Sequence, residues 1–190
     1  DILSDTGNLS QALEILDSKP MLYSSDAEYI RIKVYYRMGD GVSVSKARNK
    51  IDGARKIYSS DTRFPLIFFK HESPDSMDPD VKRLSSYFIS RIAQYAEAAP
   101  DKDAELEIYA ASFAQGETKI HLLKSFSARG LSHPLYAREA LAAGILGEQD
   151  SFEYIEKFAD NEIDYDILVS FISMLKDSDV LSYAREYFTA

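Results

Sequence analysis

The chain has 190 residues, 45% of them hydrophobic, and its 31 acidic and 22 basic residues give a net charge of −9. This length is enough to bury a sizeable core as one domain or one repeat array. The negative charge opposes binding to phosphate backbones and argues against a nucleic-acid ligand. The absence of cysteine excludes disulfides, thiolate metal sites and a cysteine nucleophile.

Sequence features bearing on location are few. No apolar run approaches the ~20 residues of a membrane span, so we expect none. The chain begins at Asp1 without a Met and shows no signal-like segment, so we expect a mature or trimmed form. A periplasmic, envelope-associated location and a cytoplasmic one are both compatible with these features.

Apolar residues at helical spacing predict two helices in the first forty residues. The first begins at a cap supplied by Asn8 or Ser10 and ends at Pro20. The second is capped by Ser25 and spans Asp26–Met38. Strand-like alternation is weak here and throughout the chain.

A glycine-rich turn separates the second helix from a third. Gly39 and Gly41 end the second helix, since glycine adopts the positive φ that tight turns require. Ser43 or Ser45 opens the third helix, which continues to about Tyr58.

The segment from Phe64 to Phe69 is a run of large apolar residues without a period of its own. Asp61 and Thr62 before it, and Pro65 in a first-turn position, favour a short helix, with a buried strand-like loop as the alternative. The cluster is interpreted as core; the alternative is a projecting patch for a partner or an oligomer contact.

The segment Ser73–Pro79 is the clearest break in the chain, with two prolines and two aspartates, and a third aspartate, Asp80, follows it. Helix capping and turn formation explain these aspartates better than a Ca²⁺ loop, because their spacing misses the D-x-D-x-D-G pattern. The sequence around Pro79 looks like a helix start and leads into Val81–Ala99, predicted as the longest helix and ended by Pro100.

Three helix pairs of similar length follow. They are Lys102–Ala114 with Lys119–Ala128, His133–Leu146 with Ser151–Ala159, and Asp164–Leu175 with Val180–Phe188. Small-residue turns recur near positions 7, 39, 76, 116, 147 and 177, and the last three of these are about thirty residues apart. A helix–turn–helix unit repeated at this period is typical of an α-solenoid, which presents a surface to partners.

Two stretches resemble known helical repeats. Gly7–Leu16 (GNLSQALEIL) is similar to the turn and second helix of a tetratricopeptide repeat, where small residues let two helices approach closely. Tyr35–Val42 (YYRMGDGV), followed by Ala47 and Ala54, resembles the longer Sel1-like variant with its G-x-G-V turn. A HEAT-like or unclassified solenoid of helix pairs is the alternative.

The resemblance implies an all-α fold, a right-handed α-solenoid of antiparallel helix pairs with about ten to eleven helices. We expect one repeat domain over residues 1–190, irregular near 60–79 and more regular over 101–190. Proteins of this family often serve as adaptors in bacterial envelope or secretion machinery, so the resemblance implies a protein or peptide partner.

By their position relative to Gly39, four residues match the groove-facing positions of tetratricopeptide repeats: Tyr29, Lys33, Tyr36 and Arg37. Rings beside cations suit an extended peptide or an acidic tail. Alternatively, the tyrosines pack and the cations are solvated. The corresponding later positions are apolar and either accept a partner helix or belong to the core; they are Leu106, Ala110, Phe113, Ala137 and Leu141.

No reactive constellation emerges from the sequence. The three histidines, His71, His121 and His133, fall in no metal-binding frame, and no nucleophile or phosphate-loop motif is present. We therefore predict a non-catalytic interaction scaffold with no cofactor, no metal and no enzyme activity; the sequence does not indicate its oligomeric state. The alternative is a regulatory domain that senses a small molecule in a pocket lined by the apolar segment 64–69.

Overall fold

The computed structural model describes residues 8–18, 24–98, 103–158 and 163–189. Over these ranges all regular structure is helical, which confirms the all-α prediction. Within these described ranges there are twelve helices, where ten to eleven were expected for the whole chain. They are α1 (Leu9–Ser18), α2 (Ser25–Met38), α3 (Gly41–Ile57), α4 (Arg63–His71), α5 (Pro79–Ile89), α6 (Ile92–Ala98), α7 (Asp103–Phe113), α8 (Gly116–Ala128), α9 (Leu135–Ala142), α10 (Glu148–Glu156), α11 (Tyr165–Ile172) and α12 (Ser178–Thr189).

A buried arginine joins the end of α1 to α2, and the sequence analysis did not single it out. Arg31 in α2 is 7% exposed and donates from its guanidinium to the carbonyl of Leu16 at 2.7 Å. That carbonyl belongs to the last turn of α1, whose carbonyls have no partner within the helix. Arg31 therefore caps α1 while joining it to α2. The predicted stop at Pro20 lies outside the described residues, and Ser24, not Ser25, caps α2.

The α2–α3 turn differs from the prediction by a few residues. Gly39 has a φ of 72°, the left-handed conformation expected at a helix end. Gly41 does not break a helix: it is the first residue of α3. Asp40 caps α3 by accepting from the backbone N–H groups of Val42 and Ser43, both at 3.0 Å. The predicted start at Ser43 or Ser45 is wrong because an aspartate directly after the glycine caps the helix earlier.

The apolar run forms α4, as favoured, with Pro65 in its first turn. Phe64, Phe68 and Phe69 are each at most 2% exposed, so the run belongs to the core and does not project as a patch. The ring of Phe68 lies 5.5 Å from that of Phe88 in α5. Thr62 is the cap residue of α4 but its side chain makes no capping hydrogen bond; the preceding Asp61 instead accepts from the N–H of Arg63 at 3.1 Å.

The predicted long helix over 81–99 is wrong, because the chain forms two helices there. α5 starts at Pro79 with Asp78 as its cap, as expected, but ends at Ile89. The N–H of Arg91 then bonds to the carbonyl of Phe88 at 3.0 Å, three residues back, and the helical ladder restarts at α6. The hydroxyl of Ser90 donates to a carbonyl three residues earlier at 2.7 Å, which tightens the same turn.

The described helices group into two compact units, Asp1–Leu106 and Glu107–Ala190. In the first unit the most extensive contacts join α1 with α2, α2 with α3 and α3 with α4, and then α2 with α4 and α3 with α5. All of these contacts join a helix to the next or to the next but one, although not every such pair is in extensive contact. The fully buried large side chains of this unit include Ile32, Ile51, Phe64, Phe68, Leu84 and Phe88.

The extensive contacts of the second unit likewise join helices that are adjacent or next but one in the chain. α9 packs on α8, α10 and α11, and α12 packs on α10 and α11. Its core cluster is Ala137, Phe152, Ile155, Phe171, Leu175 and Ala184. A buried carboxylate, Glu139, adds a polar link: it is 3% exposed and pairs with Lys119 of α8 and with Arg138, which also donates to Ser170 of α11 at 3.2 Å. The expected single domain stays a prediction.

Two glycines of the first unit provide a matched pair of substitutions. Gly39→Ala places a side chain at positive φ, so we expect a loss of about 1–2 kcal/mol in the free energy of unfolding. Gly53→Ala lies within α3, where nothing is within 4 Å of an added Cβ, so we expect a gain of about 0.5–1 kcal/mol. Urea unfolding followed by circular dichroism measures both. Equal shifts in the same direction would contradict the boundary between α2 and α3.

Candidate functional site

The four residues predicted to bind a partner all lie on α2 but in different surroundings. Tyr36 is 6% exposed and belongs to the core. Tyr29 is half-buried, with its ring 6.5 Å from that of Phe64 and the guanidinium of Arg63 5.2 Å from its centroid. Lys33 is half-buried and Arg37 is exposed. Tyr36 therefore acts as a packing residue, as the alternative interpretation had it, and its use by a partner stays a prediction.

The hydroxyl of Tyr36 leads into a polar network centred on Glu72, which follows α4. It donates to Glu72 Oε1 at 2.9 Å. The guanidinium of Arg48 in α3 binds both carboxylate oxygens of Glu72 at 2.7 Å and reaches Asp78, the cap of α5, at 2.5 Å. The Glu72 side chain is 4% exposed. Glu72 and Arg48 together thus join four elements and fix both ends of the proline-containing break, because Glu72 binds α2 and α3 while Arg48 also binds Asp78.

The network changes the acidity of its members. Burial, and then the charge of Glu72, raise the pKa of Tyr36 far above its usual value. The hydrogen bond to Glu72 raises the pKa of Arg48. The backbone N–H of Asp80, assisted by Arg48, lowers the pKa of Asp78. These shifts keep Arg48 and Asp78 charged and the hydroxyl of Tyr36 protonated, which suits a structural role better than proton transfer.

His71 completes this cluster. Its ring stacks on that of Tyr36, with centroids 4.8 Å apart and planes 11° apart. Although His71 is partly exposed, burial of the ring lowers its pKa below the usual value of 6.5. The other two histidines are placed differently, His121 exposed on α8 and His133 accepting from the N–H of Leu135 at 3.2 Å. Among the described residues no three His, Asp or Glu side chains gather in a way that would hold a metal ion.

An open cavity of about 400 Å³ lies along α2 and α3, on another side of α3 from the Glu72 network. We call it the α2–α3 groove; it is lined by Glu28, Tyr35, Lys46, Asn49, Lys50 and Gly53. The Lys46 ammonium lies 5.7 Å from the Tyr35 ring centroid, and Lys50 pairs with Glu28 at 3.2 Å. The groove is polar and cationic at its centre, and it contains none of the four residues chosen from the sequence.

Sequence reasoning missed the groove, although a signal for it exists. Lys46 and Lys50 are four residues apart on α3 and Gly53 follows at the next turn, so they share one helix face. Two lysines beside a glycine indicate a cationic face of the helix on which a ligand has space to bind. The resemblance to tetratricopeptide repeats predicts a binding surface on α2 instead, the other helix of the pair.

The apolar residues predicted to lie either in a groove or in the core fall into a buried group and a half-buried group. Leu106, Ala110 and Ala137 are at most 2% exposed and form core, whereas Phe113 and Leu141 are half-buried. Exposed apolar side chains include Tyr165, Val169, Tyr183 and Tyr187 near the end of the chain, and Val42, Ile57 and Met77 in the first unit. Over the ranges that the structure describes, each helix is too short or too polar to cross a membrane.

Replacing the central carboxylate tests the Glu72 network. Glu72→Gln leaves Arg48 without its bidentate partner, and we expect the free energy of unfolding to fall by about 2–3 kcal/mol. The exposed Glu117→Gln on α8 is the control and should stay within about 0.5 kcal/mol of the wild type. Chemical denaturation measures both. Equal effects of the two substitutions would show that the network contributes nothing specific.

The lowered pKa of His71 predicts a pH dependence of stability. Because folding lowers its pKa below the unfolded value of 6.5, the contribution of neutral His71 is complete above that value and is lost as the pH falls through the folded pKa. His71→Phe keeps a ring against Tyr36 and should reduce the stability loss between about pH 7.5 and 5.5. NMR titration of the histidine rings, with the variant assigning the resonance, checks the pKa directly; a value at or above 6.5 would contradict it.

Comparison with known proteins assigns no family. The sequence matches no protein-family model, and no significant match is found among curated proteins or among solved structures. The tetratricopeptide or Sel1-like resemblance therefore stays a prediction, and a function must be inferred from the geometry of the chain itself.

Proposed function

We propose that this chain is a non-catalytic scaffold that binds a protein or peptide partner. The observation that carries the proposal is a pattern shared by both units, in which the extensive contacts join helices that are adjacent or next but one in the chain. Stacks built in this way grow in one direction and leave elongated helix faces uncovered. On this proposal each unit is a short α-solenoid of tetratricopeptide or Sel1-like character.

The distribution of charged groups supports a binding role over catalysis. The most buried acids, Glu72, Glu107 and Glu139, are each paired with an arginine. Such pairs stabilise packing and are not poised to exchange protons with a substrate. The α2–α3 groove, by contrast, is open to solvent, and its lysines, amide and phenol ring offer hydrogen bonds and apolar contact to a peptide.

The small-molecule alternative has less support from the geometry. It requires the apolar segment 64–69 to line a pocket, but Phe64, Phe68 and Phe69 are packed in the core. The α2–α3 groove contains none of them and opens broadly to solvent. A role in assembling envelope or secretion machinery belongs to the proposal only through the family resemblance.

Selection of phage-displayed random peptides on the purified protein tests the scaffold proposal. We expect a convergent set of peptides with dissociation constants on the order of micromolar, each of which raises the melting temperature when added in excess. A parallel thermal-shift screen with metabolites is the control. No convergent peptides, together with a saturable shift from a metabolite, would overturn the scaffold in favour of the ligand-sensing domain.

A further inference from the structure

We infer that the α2–α3 groove binds an extended acidic peptide whose carboxylates contact Lys46 and Lys50 and whose flanking apolar residues contact Val42 and Ile57. The inference rests on the proposed function and specifies its site and its ligand chemistry. It follows from the shape of one helix face, the local charge, and the space left by a glycine.

The face of α3 that lines the groove continues beyond it at both ends. Val42 and Ile57 are large apolar residues with exposed fractions of 66% and 73%, unusual values on an otherwise well-packed helix. At 3.6 residues per turn, positions 42, 46, 49, 50, 53 and 57 fall within about 100° of arc. The face therefore presents apolar, cationic and again apolar contacts in a line of about 22 Å.

The charge at the centre of this face is opposite to that of the whole protein. Lys46 and Lys50 line the groove together with one carboxylate, Glu28. Glu28 pairs with Lys50 and with Arg31, and Arg31 also pairs with Asp17, so Lys50 and Arg31 balance these two carboxylates and the charge of Lys46 is in excess. Lys46 is exposed and contacts a neutral ring. In a chain of net charge −9, this local excess of cations favours a carboxylate ligand over a cationic one.

The spacing of these groups fits an extended peptide. Four residues of helix separate Lys46 from Lys50, about 6 Å along the axis, which matches two residues of an extended chain at about 3.3 Å each. The same conversion places Val42 two residues before the first carboxylate and Ile57 about three residues after the second. The cavity of about 400 Å³ is close to the volume of one helical turn, so it suits side chains of an extended segment more than a whole helix.

Gly53 keeps the groove open. It lies within α3, where glycine costs stability relative to alanine, and its φ is not positive, so the turn geometry does not require it. A Cβ added there meets no atom within 4 Å. A larger side chain at this position would occupy the groove without disturbing the core, which makes the inference directly testable.

The probe is a fluorescently labelled eight-residue peptide with leucine at its first and last positions and glutamate at its third and fifth. We expect saturable binding by fluorescence anisotropy, weakening as salt rises from about 50 to about 300 mM. A peptide with glutamine in place of glutamate should bind roughly tenfold more weakly or worse, because both charge-assisted contacts are lost. Equal binding of the two peptides would overturn the assignment of the lysines.

Two variants locate the site on the full chain. Lys46→Glu and Gly53→Leu should each weaken binding roughly tenfold, the first by charge reversal and the second by filling the groove. Lys124→Glu, at an exposed lysine of α8, and Ser86→Leu, on the exposed face of α5, are the matched controls and should bind as the wild type does. Circular dichroism confirms that each variant is folded, and since both substituted positions are exposed, a loss of binding is not a loss of structure.

The outcomes separate this inference from the proposed function. Loss of binding in both groove variants with retention in both controls supports the groove. Unchanged binding in the groove variants, or no binding of the acidic probe to the wild type, overturns it. If phage selection still converges on peptides in that case, the scaffold proposal stands with its site elsewhere.

Discussion

The bidentate pair between Arg48 and Glu72 is the interaction on which the architecture of the first unit most depends. A buried carboxylate is tolerable only when its charge and its lone pairs are fully matched, and three donors from two helices do this for Glu72. The same guanidinium holds Asp78, so the proline-containing break between α4 and α5 is fixed at both ends. The hairpin of α2 and α3 is thereby held on α4 and α5, and the opposite side of α3 is left open.

The two units show the same physical strategy with different residues. In the first, a phenylalanine cluster around Phe68 supplies apolar area and the Glu72 network supplies register. In the second, Phe152 and Phe171 form the core, and Glu139 links α8, α9 and, through Arg138, α11. Apolar packing favours compactness without specifying one arrangement, whereas a paired buried charge leaves little freedom for slippage along a helix.

Periodicity and breakers predicted most helices because those signals act within one turn. Asp78-Pro79 caps α5, and Pro65 lies in the first turn of α4, as local rules require. The restart between α5 and α6 was not predictable in this way, since Ser90 and Arg91 carry no breaker signal and the helical spacing of apolar residues continues through them. The candidate site was harder to predict than the helices. Whether Tyr36 is buried depends on Glu72, thirty-six residues away, and no local pattern encodes that contact. The groove depends on a glycine that the turn rules do not explain.

The capping of α1 by Arg31 has a consequence for local cooperativity. α1 has ten residues, fewer than an isolated helix needs to persist in water. Its final turn is held by a guanidinium that also contacts Glu28 on the rim of the groove. Fraying of α1 and the electrostatics of the groove are therefore coupled through one side chain. The hydrogen-exchange rate of the backbone amides at the end of α1 should therefore change when the charge in the groove changes, although α1 does not line the groove.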